Sequence, residues 1–313
     1  MNTLYFKYAV EVEKAASITR AAENMYMAQP NLSKAIKELE ETLGYTIFDR
    51  TKRGMVPTEK GADFLTYARR IVEQLNEMEM LSQNGGNCEQ NFKVSIPRGS
   101  YVASGFTRFL AELNQKEEMD LTISETNSME AIGDVVDSKC NIGVIRYQNI
   151  YENYFLEYLK NKGLKYRKIW EFEYVLVMSE QNPLAKLKNI TPEDLEKYIE
   201  IAHGDTEIPY ISNRTATGDK KQGKKILVYD RGSQFDILTN IQNSYMWVSP
   251  IPESYLEKYG LVQRACNVEH NKYKDVLIYR EGYKFSDFDQ LFEEKLNESK
   301  EEVSSKPYLW RAV

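Results

Sequence analysis

The sequence predicts an α+β chain: a helical first quarter, a long connecting helix, and two α/β lobes that occupy the remainder. Three observations predict it. Apolar positions recur at 3- and 4-residue spacing through the first 80 residues; the pattern stops at a polar stretch opened by Gly85 and Gly86; and beyond it short apolar runs alternate with helix-like segments. The length of 313 residues suits two or three separate cores at roughly 150 residues each.

The first predicted helix, residues 4–14, places Phe6, Ala9 and Val10 on one face. A second, 18–24, opens after Ser17 and buries Ala21 and Ala22, whose small side chains let helices approach closely. After a turn around 25–28 a third helix runs from 29 to 43. Its apolar residues Leu32, Ile36, Leu39 and Leu43 fall on one stripe, and Pro30 sits in the first turn, where its missing donor has no partner to lose. Ser33, Lys34 and Lys37 lie away from that stripe and make a polar, basic face suited to base edges and phosphates. Two short helices joined by a tight turn, the second with such a face, form a helix-turn-helix pattern, although a helical bundle with a solvated face shares the periodicity. After Gly44, residues 47–58 read as two short strands around the basic tip Arg50, Lys52 and Arg53, with Gly54 at the turn, a wing able to follow a phosphate backbone. The next helix, 58–82, carries Phe64, Ala68, Ile71, Leu75 and Met78 at alternating 4 and 3 spacing. That is the period of a coiled-coil seam and implies self-association, unless the stripe is buried against the chain's own domains.

A linker is predicted over 85–91. Strand 92–97, helix 100–114, strand 121–125, helix 129–137 and strand 141–146 then give the βαβ signature of a parallel sheet. A second series holds strand 173–179, helix 191–198 with Thr191 capping and Pro192 at the first helical position, strand 199–202, helix 233–242 and strand 245–249. Residues 213–225, rich in Gly, Thr and Lys, read as a loop; 276–279 and 285–296 add one strand and one helix.

Composition narrows the function classes. Lys and Arg number 41 against 47 Asp and Glu, a net charge of −6, with 42% hydrophobic residues, which excludes disordered and fibrous readings. No apolar run approaches the roughly 20 residues of a membrane helix, and the start lacks the basic-then-apolar order of a signal peptide, so a cytoplasmic protein is expected. Cys88, Cys140 and Cys266 form no CxxC pair and are expected to be reduced, structural thiols. With His203 and His270 the only histidines, a metal site or hydrolase triad has little raw material; no metal, cofactor or catalytic residue is expected. Residues 1–70 carry a net +2 and the rest a net −8, so the two ends face different partners.

The stretch from Leu4 to Arg70 contains Ser17-Ile18-Thr19-Arg20-Ala21-Ala22, Gln29-Pro30-Asn31-Leu32-Ser33-Lys34-Ala35-Ile36, Leu43-Gly44, Ile47-Phe48-Asp49-Arg50, Thr58-Glu59-Lys60-Gly61 and Tyr67-Ala68-Arg69-Arg70. With these runs it resembles the winged helix-turn-helix domain and linker helix of LysR-type transcriptional regulators. The resemblance implies DNA contacts from Thr19, Gln29, Pro30, Asn31, Ser33, Lys34 and Lys37, with Arg50, Lys52 and Arg53 in the wing. It also implies a two-lobed effector domain resembling periplasmic binding proteins, entered through a segment beginning Gly163-Leu164-Lys165-Tyr166, with the chain crossing between lobes near residues 166 and 270. The expected domains are then 1–58 for DNA binding, 59–84 for the dimerisation helix, 85–91 for a hinge, 92–165 with 270–300 for lobe I, 166–269 for lobe II, and a tail over 301–313. Implied partners are an operator in double-stranded DNA, a small-molecule effector, a second copy in a homodimer or dimer of dimers, and RNA polymerase.

Ligands of α/β sheets sit beyond the carboxyl ends of strands. That rule selects Arg98, Gly99, Ser100 and Tyr101, then Thr126 and Asn127, then Arg146, and in the second lobe His203 and Ser249. Arg98 and Arg146 facing one cleft would offer bidentate donors to an anionic effector, unless each pairs with a carboxylate such as Glu125 or Asp205. His203 suits a structural hydrogen bond as well as a ligand contact. Where the family often has a glycine pair, this chain has 241–247 with Trp247, which narrows the pocket or packs the core. The expected function is a sequence-specific regulator whose effector changes lobe closure. Competing readings are control by redox or a partner protein without an effector, an architectural DNA-binding protein, and an enzyme with a DNA-binding appendage. For the last, Ser100, His203 and Asp205 stand in no GxSxG, phosphate-loop or HExxH motif.

Overall fold

The computed structural model describes residues 2–51, 54–83, 90–114, 116–205 and 224–305, in two compact units, the first taking residues 1–88 with 136–138 and the second the remainder. In the amino-terminal unit α1 (Leu4–Ala15), α2 (Ile18–Asn24) and α3 (Gln29–Leu43) pack through their apolar stripes. Ala9, Val12, Ala21, Leu32 and Leu39 are fully buried. Val12 takes the core place expected of Val10, because it continues the three-residue step from Ala9 along the buried face. Each fully buried Val or Leu side chain among them contributes about 1.5–3 kcal/mol. Ser17 caps α2 by accepting from the Arg20 amide at 3.4 Å. Gly44 ends α3 in the left-handed region at φ 76°. The hairpin β1 (Phe48–Thr51) and β2 (Gly54–Pro57) follows, antiparallel with Thr51 opposite Gly54, and α4 (Glu59–Gln83) leads out.

The second unit begins with β3 (Gln90–Pro97), α5 (Ser100–Glu112), β4 (Met119–Thr126), α6 (Ser128–Val136), β5 (Ile142–Gln148), α7 (Glu152–Asn161) and β6 (Leu164–Glu173). It continues with β7 (Val175–Ser179), α8 (Pro192–Leu195), β8 (Ile199–His203), β9 (Lys224–Val228), α9 (Gly232–Asn240), β10 (Ser244–Val248), α10 (Glu253–Tyr259) and β11 (Leu261–Arg264). The chain returns through β12 (Lys272–Arg280) and ends its described part in α11 (Asp287–Ser305). Two five-stranded sheets result, ordered β4-β3-β5-β12-β6 and β11-β7-β10-β8-β9. Both are mixed and not purely parallel: β3 runs parallel to β4 and β5, while β12 is antiparallel to β5 and β6 and β7 is antiparallel to β10 and β11.

Pairing moves one expected boundary. β6 is bonded to β12 from Leu164–Arg280 to Glu173–Lys272, so it belongs to the first sheet, and the chain crosses at Tyr174 and not near residue 166. β6 is an edge strand with most residues exposed, so it lacks the apolar alternation that marks a half-buried strand. The linker expected over 85–91 also ends sooner, because Gln90 and Asn91 already pair with β4. The buried Gln90 amide donates to the Asn114 carbonyl at 2.8 Å. Residues 84–89 lie outside the described residues, as does 206–223, most of the expected loop; Lys224 and Lys225 are in β9. The first lobe is closed by α11 on α5, where a Cβ added at Gly105 would stand 2.8 Å from the Leu296 Cα. The phenyl rings of Phe92 and Phe109 meet beneath it at 4.7 Å.

Candidate functional site

The exposed face of α3 is made by what its other face buries. Leu32, Ile36 and Leu39 are held against α1 and α2, which leaves Gln29, Pro30, Asn31, Lys34 and Lys37 on the outside. The Lys34 and Lys37 side chains are 78% and 77% exposed and lie 3.7 Å from Glu38 and Glu41 one turn on. Such solvated i, i+4 pairs contribute only about 0.3–0.5 kcal/mol, so both ammonium groups are readily given up to a stronger anion. Ser33 is half-buried, less outward than its sequence position suggested, because it borders the Leu32 stripe. Thr19 is exposed in the first turn of α2 and Arg50 on β1; Lys52 and Arg53 lie outside the described residues. The wing is tied down by the Met55 amide, which donates to the Ala16 carbonyl at 2.9 Å. Gly54 has φ 109°, and a Cβ there would stand 2.3 Å from that same carbonyl oxygen.

On α4 the structure separates the expected seam into two parts. Ala68 is fully buried, and the Phe64 ring lies 5.8 Å from that of Phe6 on α1, so these two positions pack within the chain's own domain. Core packing against α1 follows the same 4–3 spacing as a dimer seam, which is why periodicity alone did not distinguish them. Ile71 and Leu75 are half-buried, and the Met78 side chain lies outside the described residues.

Between the two lobes the expected arginines are brought together, but their charges are already spent. Arg98, after β3, makes a bidentate pair with Asp205, after β8, at 2.7 Å for both bonds. Arg146 on β5 binds Asp275 on β12 through Nε at 2.7 Å and Nη2 at 2.6 Å, and its Nη1 donates to Ser249 Oγ at 3.1 Å. Asp275 is fully buried and also accepts from the Tyr101 hydroxyl. The Arg146 guanidinium stands 4.9 Å from the Phe172 ring centroid and 5.9 Å from those of Tyr101 and Tyr174. Burial opposes its charge, yet Asp275 holds the group protonated well above its ordinary range. A Cβ at Gly99 would lie 2.8 Å from Nη2, so the glycine makes room for this guanidinium. Of the two alternatives open in the sequence, the paired one holds: Arg98 takes Asp205, one of the carboxylates named there, and Arg146 takes Asp275, which was not.

The remaining expected residues serve the frame. Ser100 and Tyr101 are buried in α5, Thr126 donates to Glu130, and Asn127 Oδ1 accepts from the Glu130 amide at 3.0 Å in the first turn of α6. Burial, with the nearby Arg98 charge, lowers His203 to about 4, so it is neutral at pH 7. Burial works against ionisation of Asp205, but the Arg98 bonds outweigh it and hold the carboxyl below its usual range. Trp247 packs against the core of the second lobe.

A residue missed in the sequence completes the cleft. Arg231, just before α9, spans to the first lobe with Nη1 3.1 Å from Glu125 Oε1. Its Nε and Nη2 atoms are buried and have no partner among the described residues. Those two N–H groups form the edge of a guanidinium that matches a carboxylate. The Gly-Ser sequence after Arg231 signals a helix start, but nothing in it distinguishes this arginine from a surface one.

Two family descriptions match the chain: the bacterial regulatory helix-turn-helix protein of the lysR family over residues 5–62, and the LysR substrate binding domain over 99–211. Together they cover more than half of it. The chain belongs to the LysR-type transcriptional regulators. As in that family, a DNA-binding helix-turn-helix is followed by an effector-binding domain. The regulator is 29% identical over 152 residues to the nitrogen assimilation regulatory protein nac of Klebsiella aerogenes, a match spanning 49% of each chain. To a probable RuBisCO transcriptional regulator of Phaeodactylum tricornutum it is 26% identical, over 95% of this chain and 96% of that one. The crystal structure of ArgP from Mycobacterium tuberculosis shares its fold with a TM-score of 0.65 at 14% identity, covering 94% of this chain and 96% of that one. Among the described residues no helix of the regulator is long and apolar enough to cross a membrane.

Proposed function

We propose that this regulator binds operator DNA as a homodimer or dimer of dimers in the cytoplasm, and that a small carboxylate-bearing effector in the cleft changes how its lobes close. The observation that carries the DNA reading is α3 itself, with a fully buried stripe on one side and two solvated lysines with Gln29, Pro30 and Asn31 on the other. Asn31, Ser33 and Lys34 are assigned to base edges; Thr19, Lys37, Arg50, Lys52 and Arg53 to phosphates. Ile71, Leu75 and Met78 are assigned to the partner helix, and RNA polymerase is the further partner of the DNA-bound form. No catalytic role is assigned, in keeping with relatives that are regulators.

The effector assignment rests on Arg231, the cleft arginine with unspent donors. Arg98, Arg146 and Ser249 hold the lobes in register, and His203 offers a neutral imidazole beside them. Among the described residues, buried, raised thiols favour effector control over redox control: burial pushes Cys140 and Cys266 up to about 11, while Cys88 lies outside the described residues.

The test is binding of the full chain to a duplex it selects from a random library, against scrambled duplex, across a salt series. Lys34→Ala should reduce the preference for the selected sequence, while Lys37→Ala and Lys52→Ala weaken both duplexes alike and lower the salt slope by about one each. Equal losses on both duplexes from all three variants would overturn the division of roles.

A further inference from the structure

Tyr26 occupies a position that the helix would fill better with another residue. It follows the last turn of α2, where Met25, Tyr26 and Met27 amides donate to the Ala21, Glu23 and Ala22 carbonyls at 3.0, 3.1 and 3.0 Å. This closing turn requires a left-handed residue, and Tyr26 has φ 51°. Glycine takes that conformation without strain, whereas a bulky residue there is an outlier. Its ring returns nothing to the fold: Tyr26 is 98% exposed, more than any other large hydrophobic among the described residues.

The side chain stands in the turn of the helix-turn-helix, three residues before the start of α3 at Gln29. No other exposed large hydrophobic lies between α2 and α3, so the ring is a single projection and not part of an apolar patch of the kind that docks proteins. An isolated phenol beside a recognition helix has the chemistry of a backbone contact: a hydroxyl that donates to a phosphate oxygen and a ring face that lies against a deoxyribose. We infer that Tyr26 is a DNA contact residue that sets how deeply the amino terminus of α3 enters the groove, held at the expense of local stability. The inference rests on the DNA-binding reading and adds a residue and a mode of contact to it.

Because the contact and the fold pull in opposite directions, substitution gives two readouts of opposite sign. In the full-length chain Tyr26→Gly should leave the melting temperature of the amino-terminal unit unchanged or raise it by a degree or two, while affinity for a library-selected duplex falls about tenfold. Tyr26→Phe keeps the ring and loses the donor, so it should lose about threefold and leave the melting temperature unchanged. Affinities within twofold of the unsubstituted chain for both variants would overturn the inference, as would a lowered melting temperature for Tyr26→Gly, which would make the ring structural. If the unsubstituted chain selects no duplex at all, the DNA-binding reading fails and not this one alone.

Discussion

Replacing Arg146 by Gln isolates the role of the buried ion pair. The variant removes both bonds to Asp275, at 2.7 and 2.6 Å, and leaves a carboxylate with no exposed surface facing only the Tyr101 hydroxyl. Removing one partner of a buried pair costs about 3–5 kcal/mol, because the other charge is left uncompensated. At roughly 2–4 °C per kcal/mol for a unit of this size, the transition of the second unit should fall by about 10 °C. Adding Asp275→Asn to Arg146→Gln removes the orphaned charge, so the double variant should be more stable than the single one. Urea titrations of the three proteins measure this directly as midpoints at constant slope. A cost below about 1 kcal/mol for Arg146→Gln, or no recovery in the double variant, would show that Asp275 does not depend on Arg146. The guanidinium would then be free for a ligand, and its assignment as a structural tie would be wrong.

Three further outcomes are expected. His203 lies at about 4 in the folded chain against its ordinary 6.5, so the unfolded chain takes up the proton first. Stability is therefore lost as pH falls from about 6.5 towards 4, with about 2 kcal/mol of that loss between pH 7 and 5, and His203→Gln should flatten urea midpoints across that interval. Gly54→Ala places a methyl 2.3 Å from the Ala16 carbonyl at a φ of 109°, so it should destabilise the wing by about 1–3 kcal/mol and weaken DNA binding, seen by calorimetry and anisotropy; unchanged values for both would refute the close approach. Cys140 and Cys266, pushed up to about 11 by burial, should react with iodoacetamide at pH 7.5 roughly 100-fold more slowly in the folded chain than in urea, and fast labelling of either by mass spectrometry would restore the redox reading.

Legibility in the sequence followed the strength of local signals. The bounds of α2 and α3 were readable to the residue, because a capping Ser17, a first-turn Pro30 and a terminal Gly44 punctuate a regular stripe. β6 was not, since an edge strand needs no alternation and takes its order from pairing with β12 more than a hundred residues away. The cleft arginines Arg98 and Arg146 were placed by the strand-end rule, and so was Asp205, a named candidate partner; Asp275 was not, because it lies within β12 and only tertiary structure brings it within 3 Å of Arg146. The seam on α4 shows the same limit from the other side. Phe64 and Ala68 have the spacing of an interface and are used up inside the chain, because a 3.5-residue period says that a face is covered without saying what covers it.

Charge compensation in the cleft constrains what an effector can do there. Arg98–Asp205 and Arg231–Glu125 each join one lobe to the other, and Arg146 reaches Ser249 across the same gap. The lobes are thus held by contacts that need no ligand, and a ligand shifts their equilibrium only by the difference between its affinities for the two arrangements. An anion that displaced Asp205 from Arg98 would exchange one bidentate pair for another and gain little while breaking a tie between lobes. The free edge of Arg231 is enclosed in the arrangement seen here, so an anion that reaches it adds two charge-assisted hydrogen bonds and displaces none of the three ties, but neighbouring side chains must shift to admit it. Coupling then depends on whether opening the lobes moves Arg231 away from the rest of the cleft. The bond from Arg231 to Glu125 makes it do so, since parting the lobes removes the carboxylate that positions the guanidinium.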